Sequence, residues 1–450
     1  MPQKKQLKSV FTTILLIIFI LLATSLSRIL IFNHVFSSTP LSVERGDTSR
    51  YEEPALNLLT HGSLAINPTD PHTTALSTTP IYSLLIAASY KIFGLNNRYS
   101  MIIIQILLSS LTLLIVFLTT KQIWTKKVAF IAMTLMALEP LQTLYSQIIL
   151  SETLFTLFLA SSLFALSKLV LTQDKMRWAL ILGITITLAT MTRPISYYLV
   201  FCFVLGLAVF KPYVAKSWLE LGRITLLILI PLLLTTTAWK VRNENLTGVY
   251  VLNDAMNETL LYYKAKGVLM VGKSLTQEEA HQEILQRLSS GISTTKEQVE
   301  EESKLAKEII LNDPKSYFKL AMTGLKAIIF GPGLTSQAQF YDNKEEGRTN
   351  TGYKLWYLLL IGYGIAFMLL SYLFSIYGFI RSLNKSTKQE MTLHLLMLGV
   401  VTYFILISTG HIATDSRMRV PIIPIILIYA SYGVFSLLEA LKFRKIRKSE

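Results

Sequence analysis

Apolar runs long enough to cross a bilayer recur along the whole 450-residue chain, separated by short polar stretches. A hydrocarbon core of about 30 Å asks for about 20 apolar residues per helix. Such runs lie near 9–33, 99–120, 128–145, 149–171, 177–192, 195–211, 222–240, 354–381, 390–410 and 419–441. The pattern predicts an all-α polytopic membrane protein with roughly ten transmembrane helices. The first run is longer than a signal-peptide core and lacks a small-x-small cleavage site, which predicts an uncleaved helix.

Polar stretches between the runs carry their own local signals. In the first, Ser49 and Glu52 form a capping-box pattern, Leu56 and Leu59 a helical stripe, and Gly62 a stop. Asp47 then sits just ahead of a helix. Thr79-Pro80 opens a second amphipathic helix that ends at Phe93-Gly94. In the longest stretch, Val249–Tyr263 has strand or loop chemistry, whereas Ser274–Leu311 reads as two helices broken at Ser290-Gly291. Residues 316–330 are short and marked by lysine, as an interfacial helix would be. Three regions follow: a transmembrane module 1–240 with a first polar loop 34–98, a soluble or juxtamembrane segment 241–353, and C-terminal helices 354–450.

Composition agrees with a membrane protein, with 52% hydrophobic residues and a mean hydropathy of +0.47. The net charge of +15 does not point to nucleic acid, because the basic residues sit in short tracts beside apolar runs. Lys4, Lys5 and Lys8; Lys121, Lys126 and Lys127; Lys168, Lys175 and Arg177; Lys211 and Lys216; Arg381, Lys385 and Lys388; and Lys442–Lys448 mark every second loop. By the positive-inside rule both termini are cytoplasmic, and 34–98, 146–148, 193–194, 241–353 and 411–418 face outward. The single cysteine, Cys202, lies within an apolar run and excludes a disulfide framework.

Charged groups at the rim of a bilayer are costly unless paired or used. Asp47 and Glu44 lie in the first outward loop, and Glu152 begins an apolar run. Each has a bland alternative: Asp47 as a helix cap, Glu152 as one half of a salt bridge. Arg193, Arg242, Arg417 and Arg419 fall at outward ends of runs and offer planar donors suited to phosphate, unless they only snorkel to the interface. No Asp-x-Asp appears in the outward loops, Glu52-Glu53 point to different helix faces, and His61, His72 and His411 are scattered. No histidine metal site is expected, and no cofactor is certain.

The string Asp47 to Tyr51, Ala55, Asn57-Leu58-Leu59 and Gly62, followed by Thr79-Pro80-Ile81-Tyr82 and Ile92-Phe93-Gly94, resembles the opening of bacterial GT-C glycosyltransferases. These are integral-membrane enzymes similar to protein O-mannosyltransferases and the aminoarabinose transferase of lipid A. Leu138-Glu139-Pro140 with Ser151-Glu152-Thr153-Leu154-Phe155, Thr192-Arg193-Pro194, Trp239-Lys240-Val241-Arg242-Asn243 and Arg417-Met418-Arg419-Val420-Pro421 extend the resemblance in family order. It implies a GT-C-type bundle with outward juxtamembrane helices and a small outward soluble segment.

The resemblance also implies a polyprenyl-phosphate-sugar donor and a catalytic aspartate in the first outward loop, the position of Asp47. Glu152 matches a second acidic residue near the donor, with Glu44 a weaker match. Arg193, Arg242, Arg417 and Arg419 would hold the donor phosphate, and Tyr51, Tyr82 and Asn243 the substrates. The lack of Asp-x-Asp departs from the metal-dependent oligosaccharyl branch and leaves a divalent ion possible but unsupported. The acceptor is open among lipid, polysaccharide and protein, and the expected location is the inner membrane with the site outward. A transporter of a lipid-linked saccharide and a non-catalytic envelope glycolipid-binding protein remain alternatives. Transporters, however, place charge near the bilayer midplane in repeated halves, and neither feature is visible here.

Overall fold

The computed structural model describes residues 2–38, 43–44, 46–66, 78–288, 295–331, 333 and 351–447. The Ser290-Gly291 break, His72 and parts of loops 34–98 and 241–353 lie outside the described residues. The helices are α1 (Pro2–Ser38), α2 (Thr48–His61), α3 (Pro80–Phe93), α4 (Arg98–Ile123), α5 (Lys126–Leu138), α6 (Pro140–Tyr145), α7 (Glu152–Leu171) and α8 (Lys175–Thr192). They continue with α9 (Leu199–Val209), α10 (Lys211–Val214), α11 (Trp218–Thr247), α12 (Ala255–Glu258), α13 (Lys266–Lys273), α14 (Gln277–Arg287), α15 (Thr295–Asn312) and α16 (Pro314–Phe330). The last three are α17 (Thr351–Lys385), α18 (Lys388–Ser408) and α19 (Ile423–Arg447).

Seven stretches among the described residues are long and apolar enough to cross a membrane, which does not confirm the count of roughly ten. They are Val10–His34, Arg98–Ile123, Glu152–Leu171, Trp218–Thr247, Leu358–Lys385, Lys388–Ser408 and Ser416–Lys442. The expected run 128–145 is divided at Glu139, whose side chain accepts from the Gln142 N–H at 2.6 Å and caps α6, with Pro140 at its first position. The run 195–211 shortens because Pro194–Ser196 forms a 3₁₀ turn before α9. The run 177–192 is one helix, α8, that starts at Lys175 and carries Arg177 in its first turn.

Two apolar cores organise the membrane part. The larger is built from α4, α5, α7, α8, α11, α18 and α19, around residues such as Phe117, Phe155, Leu166, Leu182, Ile228 and Phe404. The smaller seats α2 and α3 on α4 through Ala55, Tyr82, Ile86, Tyr90, Ile102 and Ile106. Gly378 of α17 and Gly433 of α19 let those helices cross backbone to backbone: a Cβ on either would run into the other's main chain.

Both surface helices of the first loop form near the expected boundaries. Gly62 terminates α2 in the left-handed region at φ 73°, which its missing Cβ permits. The expected capping box does not form. Helix α2 starts two residues earlier than that box requires, at Thr48, and Glu52 is drawn to Arg98 and Tyr90 instead. In the 241–353 segment, the stretch expected to have strand or loop chemistry is helical from Ala255, with a π-helical turn over Thr259–Ala265. Its periodicity serves a third core, where Leu261, Ala265 and Leu269 pack against Ala280, Ile284, Ala306 and Ile309.

Candidate active site

Backbone bonds hold the first polar loop against the start of α7. The Ile149 N–H donates to the Val43 carbonyl at 2.9 Å, and the Thr48 hydroxyl donates to the Ile149 carbonyl at 3.0 Å. Beneath them, the Tyr82 hydroxyl donates to Gln105 Oε1 at 2.7 Å, and Gln105 Nε2 donates to the Ile148 carbonyl at 2.7 Å. The Ser151 hydroxyl donates to the Tyr51 hydroxyl at 3.0 Å, and the Tyr51 ring meets Tyr82 edge-on at 5.1 Å. Residues from α2, α3, α4 and the 146–151 turn thus fix Asp47 near Glu152.

Four charged side chains then form one chain. Asp47 is the N-cap residue of α2 but makes no side-chain cap bond. Its Oδ2 instead accepts from Arg417 Nη1 at 2.7 Å, and its side chain is 40% exposed. Arg417 Nε donates to Glu152 Oε1, and Arg193 Nη1 donates to that same oxygen. Glu152 is only 1% exposed, at the first position of α7, where the helix dipole favours an anion. Arg193 follows the last residue of α8, where a cation is favoured. Two arginines match two acids, as a buried ionic group requires.

Arg417 comes from the C-terminal helices and the other three from the first 240 residues, so the constellation needs both parts of the chain. Arg417 is positioned through its backbone: its N–H donates to Asp415 Oδ1 at 2.9 Å. Burial pushes the Asp415 carboxyl up, and the nearby Arg417 charge opposes that shift. On the same loop, burial and then Lys264 pull the His411 imidazole down to about 4. His411 is therefore neutral at pH 7.

Other sequence candidates lie elsewhere. Glu44 pairs with Arg98, which also reaches Glu52 through Nη2 at 2.7 Å and Nε at 2.9 Å. Arg419 is not brought to the Asp47 cluster: it is buried and donates to the carbonyls of Ile328 at 2.8 Å and Gly331 at 3.1 Å, tying the end of α16 to the bundle. Arg242 stacks on Trp239 at 4.6 Å and donates to Asn243 Oδ1 and the Leu64 carbonyl. Asn243 is fully buried and its amide donates to the Val251 carbonyl at 2.9 Å. Tyr82 is fully buried beneath the loop.

Sequence reasoning missed Arg98, Glu52, Arg50 and Glu258. Arg50 donates to both oxygens of Glu258, at 2.8 and 2.6 Å. Arginines in loops expected to face outward, against the positive-inside trend, were the available signal. Among the described residues, no three His, Cys, Asp or Glu side chains gather as a metal ion would need.

Residues 77–239 match the family model described as dolichyl-phosphate-mannose-protein mannosyltransferase. No curated protein sequence matches the chain. Among solved structures, the oligosaccharyltransferase AglB from Archaeoglobus fulgidus, in complex with an inhibitory peptide and a dolichol-phosphate, is similar with a TM-score of 0.53 at 15% identity. That match covers 96% of this chain and 52% of the archaeal one, so the chain spans about half the length of that relative. The apo form of the same enzyme gives a TM-score of 0.52 at 15% identity, over 96% of this chain and 52% of that one. ArnT from Cupriavidus metallidurans gives 0.42 at 12% identity, over 94% of this chain and 78% of that one. The fold is similar to that of the archaeal oligosaccharyltransferase along nearly the whole chain, and the match to the mannosyltransferase family model lies within it, over residues 77–239.

Proposed function

We propose that the protein is a membrane glycosyltransferase that moves a sugar from a polyprenyl-phosphate-linked donor to an acceptor hydroxyl at the outward face of the inner membrane. One observation carries the reading: Arg417 holds Asp47 and Glu152 together where two helices long enough to cross a membrane begin, leaving Asp47 partly exposed. The family model, named for a lipid-phosphate-mannose donor, and the dolichol-phosphate bound to the archaeal relative support a lipid-phosphate donor.

Asp47 takes the acceptor's proton as its oxygen attacks the anomeric carbon. The bond from that carbon to the phosphate oxygen breaks, and the electron pair leaves with the polyprenyl phosphate. The transition state has oxocarbenium character, which the negative charge of Asp47 stabilises. A phosphate leaving group is a weak base and needs no general acid. Among the described residues, Arg417 Nη2 and Arg193 Nη2 make no hydrogen bond, and they are the donors assigned to that phosphate. Glu152 orients both guanidinium groups from below.

A site facing outward requires residues 241–353 outside the cytoplasm. With Cys202 replaced by serine, an impermeant maleimide is expected to label Glu278→Cys, on α14 near Glu283, while the inner membrane is intact. Labelling only after that membrane is breached places the site on the wrong side and removes the lipid-donor reading.

A further inference from the structure

Asp47 caps α2 and Arg50 is the third residue of that helix, so their spacing puts both on one side of the first turn. A guanidinium there would ordinarily fold back onto the carboxylate. Arg50 instead turns away, giving Nη1 and Nη2 to the two oxygens of Glu258 at 2.8 and 2.6 Å. Glu258 ends α12 in the outward segment, directly before the π-helical turn Thr259–Ala265.

That turn is also tied to the loop leading to Arg417. The Ile412 N–H donates to the Tyr263 carbonyl at 3.2 Å, and the Tyr263 ring meets His411 edge-on at 6.3 Å. One short segment therefore braces the helix of Asp47 and the loop of its partner. Asp47 Oδ1 receives no hydrogen bond from the described residues, while Oδ2 is held by Arg417. The Arg50 guanidinium is raised above its usual range, first by the bond to Glu258 and further by the charges of Glu258, Asp47 and Tyr263.

We propose that Glu258 is a positioning residue whose two-pronged hold on Arg50 keeps a second cation off Asp47 and so preserves the free oxygen and the basicity that proton removal needs. This rests on the reading of Asp47 as general base. Released from Glu258, Arg50 would reach Asp47, stabilise its charged form and occupy Oδ1. Arg50 and Arg417 both feel the charge of Asp47; Arg417 also feels Glu152 from α7 and Tyr51 from α2, and Arg50 also feels Glu258 and Tyr263 from the outward segment. Asp254 and Tyr262, with Glu302 of α15, surround Glu258. The sign follows from the added positive charge: Asp47 gives up its proton at lower pH and is a weaker base above it.

Reaction with a water-soluble carbodiimide and glycine ethyl ester reads this directly in the purified full-length protein, because it reports Asp47 protonation against pH by peptide mass without turnover. In Glu258→Gln the midpoint for Asp47 is expected to move down by about one pH unit. In the double variant with Arg50→Ala it should return to that of the wild type. Arg50→Ala alone should raise the midpoint by well under one pH unit, because the Arg50 held by Glu258 acts on Asp47 only at a distance. An unmoved midpoint in Glu258→Gln, or no restoration in the double variant, reduces the pair to a structural latch. Should Glu258→Gln fail to fold, Arg50→Ala decides: a midpoint raised by about a unit or more means that Arg50 already acts on Asp47 and overturns the proposal. The general-base reading fails separately, through normal turnover by Asp47→Asn.

Discussion

Asp47→Asn is expected to abolish sugar transfer while leaving the protein folded and inserted. Asparagine keeps the shape of the side chain, and its Oδ1 still accepts from Arg417 Nη1, so the contact at 2.7 Å survives without charge. What disappears is basicity, and loss of a general base lowers rate by about 10²–10⁴. The change leaves α2 intact, because Asp47 makes no side-chain cap bond and asparagine caps a helix as well as aspartate does. Turnover near that of the wild type would return Asp47 to a plain N-terminal position.

Arg417→Ala should do broader damage. It removes the donor to Asp47 and one of two donors to Glu152, whose Oε2 already lacks a partner among the described residues. Breaking a buried ion pair from one side costs about 3–5 kcal/mol. The measured result should be both a lower unfolding temperature in detergent and weakened use of the lipid donor. Arg417→Lys should rescue only part of either, because one ammonium cannot reproduce the fork that touches Glu152 through Nε and Asp47 through Nη1. An Arg417→Ala protein with unchanged stability and unchanged dependence on lipid donor would contradict the assignment.

How much of this site the sequence carried depends on the range over which each feature is decided. Asp47 ahead of a helix, Gly62 at its end and Pro80 at the start of α3 are local choices of backbone conformation, and they read correctly. The capping box failed because Glu52 had a better partner far along the chain, Arg98, which nothing within a few residues announces. The run 128–145 looked continuous in hydropathy, yet Glu139-Pro140 divides it, and an acid before a proline was the local signal for that break. Four arginines at outward rims looked equivalent. Only the fold separates Arg193 and Arg417, which meet at Glu152, from Arg419, whose donors go to the carbonyls at the end of α16. In the outward segment, the four-residue spacing of Leu261, Ala265 and Leu269 was the helical signal that a strand or loop reading of Val249–Tyr263 passed over.

The central claim is that an outward-facing site takes its sugar from a membrane-carried phosphate. Nucleotide sugars are cytoplasmic, so the two donor classes divide the possibilities. The direct measurement offers the purified protein in detergent a polyprenyl-phosphate mannose, alongside other polyprenyl-phosphate sugars and the corresponding nucleotide sugars, and follows release of free polyprenyl phosphate. The account predicts that a lipid-linked donor is consumed, that the nucleotide sugars are not, and that Asp47→Asn stops the release. Consumption of a soluble nucleotide sugar with no lipid-linked intermediate would contradict it.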